Sequence, residues 1–169
     1  MAKMAVGKKV PAFSAIISGN QKIKLSDYRG EQNLVLYFYP KDNTPGCTTE
    51  GQNFRDLYKK FKKCNTEILG VSKDSVKKHD NFIEKHAFPF ALISDPDEKL
   101  CTLFDVIKEK NMYGKKYLGI ERSTFLIDKS GKLVHEWRKV RVKGHVDDCL
   151  LYTSPSPRDQ RGSRMPSSA

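Results

Sequence analysis

Seven consecutive residues, Asn33–Tyr39 (NLVLYFY), constrain the fold more than any other stretch of this chain. Nearly every position is apolar, so a strand made from them has no face to offer water and must be covered on both sides. Such a strand belongs in the middle of a sheet. Thr66–Ser72 (TEILGVS) repeats the pattern and reads as a second buried strand. Between the two, Phe54, Leu57, Tyr58 and Phe61 recur at helical spacing, which predicts a helix over Thr44–Lys63.

The rest of the chain fits around this pair. Pro11–Ser18 and Gln21–Asp27 alternate about Gly19-Asn20 and read as an N-terminal hairpin. Asp74–His86 opens on an N-cap candidate and sets Val76, Phe82 and Ile83 for packing as a helix. FALISD reads as a short strand, DEKLCTLFDV as a helix, and NMYGKKYLGIE as a hairpin turned at Gly114. Ser123–Asp128 and Lys132–Val140 are strands joined by Lys129-Ser130-Gly131, and GHVDD begins a last helix. Strands alternating with helices, then a hairpin, describe a three-layer α/β domain.

A chain of 169 residues suits one such domain. The formal charge of +11 raises nucleic acid as a partner, but the lysines fall in scattered pairs such as Lys59-Lys60 and Lys115-Lys116. Solvated faces account for them, and nucleic acid is not expected. No apolar run approaches the ~20 residues that cross a membrane, and the N-terminus has no apolar core of a secretory signal. The expectation is a cytoplasmic protein whose four cysteines, Cys47, Cys64, Cys101 and Cys149, are thiols at irregular spacings. His79, His86, His135 and His145 lack ligand spacing, so no metal is expected and the histidines are read as solvated.

From Cys149 onward the composition shifts to Ser, Pro and Arg, without apolar period. CLLYTS matches the translation of a transposase-type sequencing adaptor. The expectation is therefore a domain over residues 1–148 and a non-native, disordered tail over residues 149–169, with Cys149 not a native residue. Without that tail the charge is +9, three arginines and one aspartate having been removed from +11.

The chemistry concentrates just after the central strand, in YPKDNTPGCTTE. Thr44 suits an N-cap and Pro45 the first helical position, which sets Cys47 in the first turn. Free N–H groups and the helix dipole favour negative charge there, and the thiolate is the nucleophilic form of cysteine. The carboxyl edge of a parallel sheet is where ligands enter such folds.

Pro40, Thr44 and Cys47 form P-x-x-x-T-x-x-C, which resembles the active-site motif of peroxiredoxins. With GVSKDSVKKHDNF, FDVIKEKNMYGKKYLGIERSTFLID and WRKVRVKGHV in order, the chain from Ala5 to about Asp148 is similar to the bacterioferritin comigratory protein, or peroxiredoxin Q, branch. The resemblance implies a thioredoxin-like fold: a central mixed sheet flanked by helices, with an N-terminal hairpin. It implies reduction of hydrogen peroxide and alkyl hydroperoxides, with Cys47 as peroxidatic thiolate and no cofactor. Arg122 matches the family's arginine, Thr44 would hold the peroxide, Pro40 would shield the sulfur, and Glu50 would hold Arg122. Both usual places for a resolving cysteine are empty, being Gln52 and Ile83. The expectation is a one-cysteine mechanism in a monomer, regenerated by thioredoxin, glutaredoxin or a small thiol. Pairing of Cys47 with Cys64 or Cys101 is the alternative within this class, and a non-catalytic basic binding module the alternative outside it.

Overall fold

The computed structural model describes residues 4–153. Nine strands run in the order β1 (Ser14–Ile17), β2 (Gln21–Lys24), β3 (Asn33–Phe38), β4 (Thr66–Ser72), β5 (Leu92–Ser94), β6 (Ile107–Met112), β7 (Lys115–Ile120), β8 (Ser123–Ile127) and β9 (Leu133–Trp137). Four α-helices accompany them among the described residues: α1 (Pro45–Lys63), α2 (Val76–His86), α3 (Lys99–Leu103) and α4 (His145–Thr153).

Seven strands form one mixed sheet in the order β2-β1-β5-β4-β3-β8-β9, and β6 and β7 pair apart from it as a hairpin. The inner strands β3, β4 and β5 are parallel, while β8 lies antiparallel to β3. The doubly apolar β3 lies between β4 and β8, as its composition required. Leu34, Leu36 and Phe38 enter the core on one face, with Phe104, Phe125 and Cys101. Val35 and Tyr37, with Tyr39 beyond the strand, enter the other with Phe54, Phe61, Phe82 and Cys47. The Tyr113-Gly114 turn of the separate hairpin has positive φ at both residues, 54° and 79°, which matches the twist of the two strands.

Two sequence expectations shift by small, explicable amounts. The N-cap of α2 is Ser75, whose side chain accepts the Lys78 N–H, while the Asp74 carboxylate accepts the Asp42 N–H instead. The chain does not lose order at Asp148. Val146, Cys149 and Leu150 continue an apolar helical face against Trp137 and Phe54, so α4 runs through Thr153 and Cys149 is fully buried. The remainder of the expected tail, residues 154–169, lies outside the described residues. No helix among the described residues is long and apolar enough to cross a membrane.

Candidate active site

The carboxyl end of β3 delivers the chain into an irregular loop, Pro40–Thr44, and then into α1. Thr44 is the N-cap of α1 by backbone conformation, but its side chain makes no capping bond. Its Oγ1 donates to the Lys41 carbonyl at 2.9 Å. Pro45 opens the helix and Cys47 follows in its first turn, 1% exposed.

Arg122 reaches this thiol from the short connection between β7 and β8. Its Nη2 lies 3.3 Å from Cys47 Sγ and its Nη1 donates to Glu50 Oε1 at 2.6 Å. Cys47 and Glu50, three residues apart on α1, thus share one guanidinium fork. The approach is close: a side chain on Gly46 would put a Cβ 3.1 Å from Arg122 Nη2. Burial alone would lower the Arg122 pKa, but Glu50 and Cys47 outweigh it and hold the guanidinium charged. Burial raises the Glu50 carboxyl to about 7 against the opposing pull of Arg122. Its second oxygen, Oε2, has no hydrogen-bond partner among the described residues.

Pro40 is exposed and lines an opening of about 330 Å³ with Lys41, Lys110, Tyr117 and Leu118. Lys110 has a lowered pKa, from its own desolvation first and from Arg122 second. The structure therefore brings Cys47, Arg122 and Glu50 into contact, sets Thr44 at the helix start, and leaves Pro40 at the rim.

The other thiols lie elsewhere. Cys101 is buried on the opposite face of the sheet, and Cys64 is the half-buried C-cap of α1. Cys149 sits with its Sγ 3.4 Å from His145 Nε2, which is also 2.7 Å from Thr124 Oγ1. Burial pushes the Cys149 thiol up and the His145 imidazole down, to about 4.

Reading His79 and His145 as solvated is corrected: they are 0% and 5% exposed. His79 joins Asp42, Tyr39 and Ile93 in a buried polar cluster beneath the Pro40–Thr44 loop. A signal for it existed, since Val76, His79, Phe82 and Ile83 share one helical face and the histidine stands among apolar positions.

With this geometry in place, the comparisons with known proteins fall into line. The pattern of the AhpC/TSA family matches residues 6–136. The chain belongs to that family. It is 59% identical over 134 residues to peroxiredoxin Bcp of Xanthomonas campestris, covering 79% of this chain and 83% of that one. Peroxiredoxin Bcp of Bacillus subtilis is 53% identical over 145 residues, 86% of this chain and 92% of the relative. Among solved structures, Xanthomonas campestris peroxiredoxin Q superposes with a TM-score of 0.80 at 55% identity, over 83% of this chain and 89% of that one. A cysteine mutant of Xylella fastidiosa PrxQ reaches 0.84 at 48% identity, over 90% and 96%. These relatives make the chain a peroxiredoxin of the Bcp/Q branch with a thioredoxin-like fold.

Proposed function

We propose that this peroxiredoxin reduces hydrogen peroxide and alkyl hydroperoxides at Cys47, with Arg122, Thr44, Pro40 and Glu50 as the site. The observation that carries the reading is the 3.3 Å contact between Arg122 Nη2 and Cys47 Sγ, in the first turn of a helix. A solved relative from Xanthomonas campestris concerns alkyl peroxide reduction by a bacterioferritin comigratory protein, and this supports the same substrate class here.

In the first step the Cys47 thiolate attacks the terminal peroxide oxygen. An S–O bond forms as the O–O bond breaks, leaving a sulfenic acid and an alkoxide or hydroxide that takes a proton to become alcohol or water. Negative charge moves from sulfur to the leaving oxygen, and the Arg122 fork is aimed at that region in a site from which water is largely excluded. The Thr44 hydrogen is committed to the Lys41 carbonyl. Its oxygen lone pairs remain to accept the peroxide O–H. Pro40, which has no N–H, narrows the opening, and Glu50 holds Arg122 in line.

Regeneration uses an external thiol. It condenses with the sulfenic acid, releasing water, and a second thiol reduces the mixed disulfide. Gln52 and Ile83 occupy the two positions where a resolving cysteine would be near, and burial pushes the Cys101 thiol up, away from its reactive form. We assign thioredoxin, glutaredoxin or a small thiol as reductant, a monomeric state and a cytoplasmic location. We also assign residues 149–169 to a non-native extension, which resequencing the coding locus tests: a different continuation after Asp148 supports it and the same tail refutes it.

The mechanism is tested by intact mass and peptide mapping after one equivalent of hydrogen peroxide, with a sulfenic-acid trap. A trapped adduct on Cys47 alone is expected. A Cys47–Cys64 or Cys47–Cys101 disulfide would replace the one-cysteine mechanism while keeping the peroxidase. Failure of Cys47 to oxidise at all would remove the enzymatic reading.

A further inference from the structure

The loop that carries Pro40 and Thr44 has no regular secondary structure, and of its five residues only Asp42 is buried. Asp42 is therefore the side chain through which the loop is tied to the core. Its backbone N–H donates to Asp74 Oδ2 at 2.8 Å, and Asp74 Oδ2 is itself held by the Ser72 hydroxyl at 2.8 Å. Its carboxylate accepts the Tyr39 hydroxyl on Oδ1 at 2.6 Å and faces His79 Nδ1 from Oδ2 at 2.7 Å. The other ring nitrogen of His79, Nε2, lies 2.9 Å from the Ile93 carbonyl. The side chains of His79 and Asp42 are 0% and 2% exposed.

The protons in this cluster follow from which atoms can accept. A carbonyl oxygen only accepts, so His79 Nε2 carries a hydrogen and donates it. The remaining short contact, Nδ1 to carboxylate, is then bridged by one shared proton, and the pair as a whole buries no net charge. That arrangement is directional at both ends. It clamps α2 and the end of β5 to a single loop residue, in a place where an unpaired carboxylate would be costly.

We propose that His79, which lies outside the peroxide pocket, is a positioning residue for the peroxidase reaction, acting through Asp42 on Thr44. The route is short. Asp42 fixes the backbone that ends in the Lys41 carbonyl, and that carbonyl takes the Thr44 hydrogen at 2.9 Å. With its hydrogen directed there, the Thr44 oxygen presents its lone pairs to the peroxide. Asn43 sits between Asp42 and Thr44 in a left-handed conformation, φ 65°, which asparagine tolerates, so the direction in which the chain reaches Thr44 depends on where Asp42 is held. Loosening the clamp swings the Thr44 acceptor away without touching Cys47 or Arg122. This inference rests on the reading of Thr44 as the peroxide-holding group.

The test compares two reactions of the same sulfur. Cys47 is oxidised by hydrogen peroxide, which needs the aimed Thr44, and alkylated by iodoacetamide, which needs only the thiolate and access to it. In His79→Gln the second-order rate with peroxide falls by about 10- to 100-fold, the usual effect of a misplacement near 1 Å. Its alkylation rate stays within about twofold, and combining it with Thr44→Val slows the peroxide step no further than Thr44→Val alone. Asp42→Asn gives the same pattern, and supplies a second route should His79→Gln not fold by near-ultraviolet circular dichroism. Alkylation rising in step with the loss of peroxidase would mean that the pocket has come apart, and a purely structural role would replace the proposal. Multiplying effects in the double variant, or a full peroxide rate in His79→Gln and Asp42→Asn while Thr44→Val is slow, would overturn the proposal alone. A full rate in Thr44→Val would instead overturn the underlying reading of Thr44, and His79 with it.

Discussion

Cys47 and Cys101 lie on opposite faces of one sheet and start from nearly the same position. Both fall in the third residue of a helix, and both are buried, 1% and 0% exposed. What separates them is the charge that each thiol meets. Cys47 faces the guanidinium of Arg122 at 3.3 Å, at the start of a 19-residue helix. Cys101 belongs to a five-residue helix whose first N–H groups, at Leu100 and Cys101, are already taken by the Asp95 carboxylate. Burial raises the Cys101 thiol first, and Asp95 raises it further. A helix start permits a reactive thiol, and the sign of the neighbouring charge decides whether it becomes one.

The strongest way to break this contrast is to remove the sulfur. Cys47→Ser should lower the second-order rate of peroxide consumption by at least about 10³-fold, as for other nucleophiles whose loss stops the chemical step. Peroxide consumption at the original rate through Cys101, Cys64 or Cys149 would erase the distinction between the two faces. The next effect belongs to the cation. Arg122→Met should cost about 10² to 10³ in that rate, the range for a preorganised charge-stabilising donor. Arg122→Lys should recover only part of it, because an ammonium lacks the flat fork that now spans Glu50 and Cys47. A lysine variant as fast as wild type would show that charge alone suffices.

The same contrast explains what was legible in the amino-acid sequence. The order of elements could be read because β3, β4 and α1 declare themselves by period, and each is buried as its period requires. The Cys47 loop could be read because its turn chemistry is local: Thr44, Pro45 and Cys47 lie within four residues. The contact of Arg122 with Cys47 spans 75 residues, and only the string around Arg122 pointed to it. The helical face of Val76, Phe82 and Ile83 marked His79 as buried, but nothing local pointed to its pairing with Asp42, 37 residues away, or to that of Thr124 with His145, 21 apart. A polar residue looks solvated until its partner is folded against it. The tail misled in the opposite sense: its polar composition hid that Cys149 and Leu150 complete the apolar face begun by Val146.

Two groups near Cys47 give the site opposing responses to pH. Burial raises Glu50 from 4.5 to about 7, so between those values the folded protein holds a proton that the unfolded chain has released. The resulting stabilisation is complete below the lower value and is lost as pH rises through 7. His145 is lowered from 6.5 to about 4, so its contribution is present above 6.5 and is lost as pH falls through 4. Glu50→Gln removes the first response and leaves the second. In urea unfolding, the variant should match wild type near pH 5 and exceed it by about 2–3 kcal/mol near pH 8. A difference that stays constant with pH would mean that Arg122 keeps Glu50 ionised throughout. The same variant should reduce peroxide more slowly, because an amide holds the guanidinium less firmly. The buried carboxylate is then a cost in stability retained for the alignment of Arg122.

The smallest expected effect on turnover falls at Cys101, and it is the sharpest test of the contrast because almost nothing should happen. Cys101→Ala leaves the Leu100 and Cys101 N–H groups in place on Asp95, so α3 keeps its cap. The cavity left by one sulfur, between Leu100 and Phe104 on the far face of the sheet, should lower stability by about 1–2 kcal/mol. The peroxide rate and the rate supported by an external thiol should both stay within about twofold of wild type, since the Cys47 sulfur packs in the cluster on the other face. If turnover instead fell while oxidation of Cys47 remained fast, Cys101 would be acting in regeneration. The two faces would then be steps of one cycle rather than a reactive thiol and an inert one.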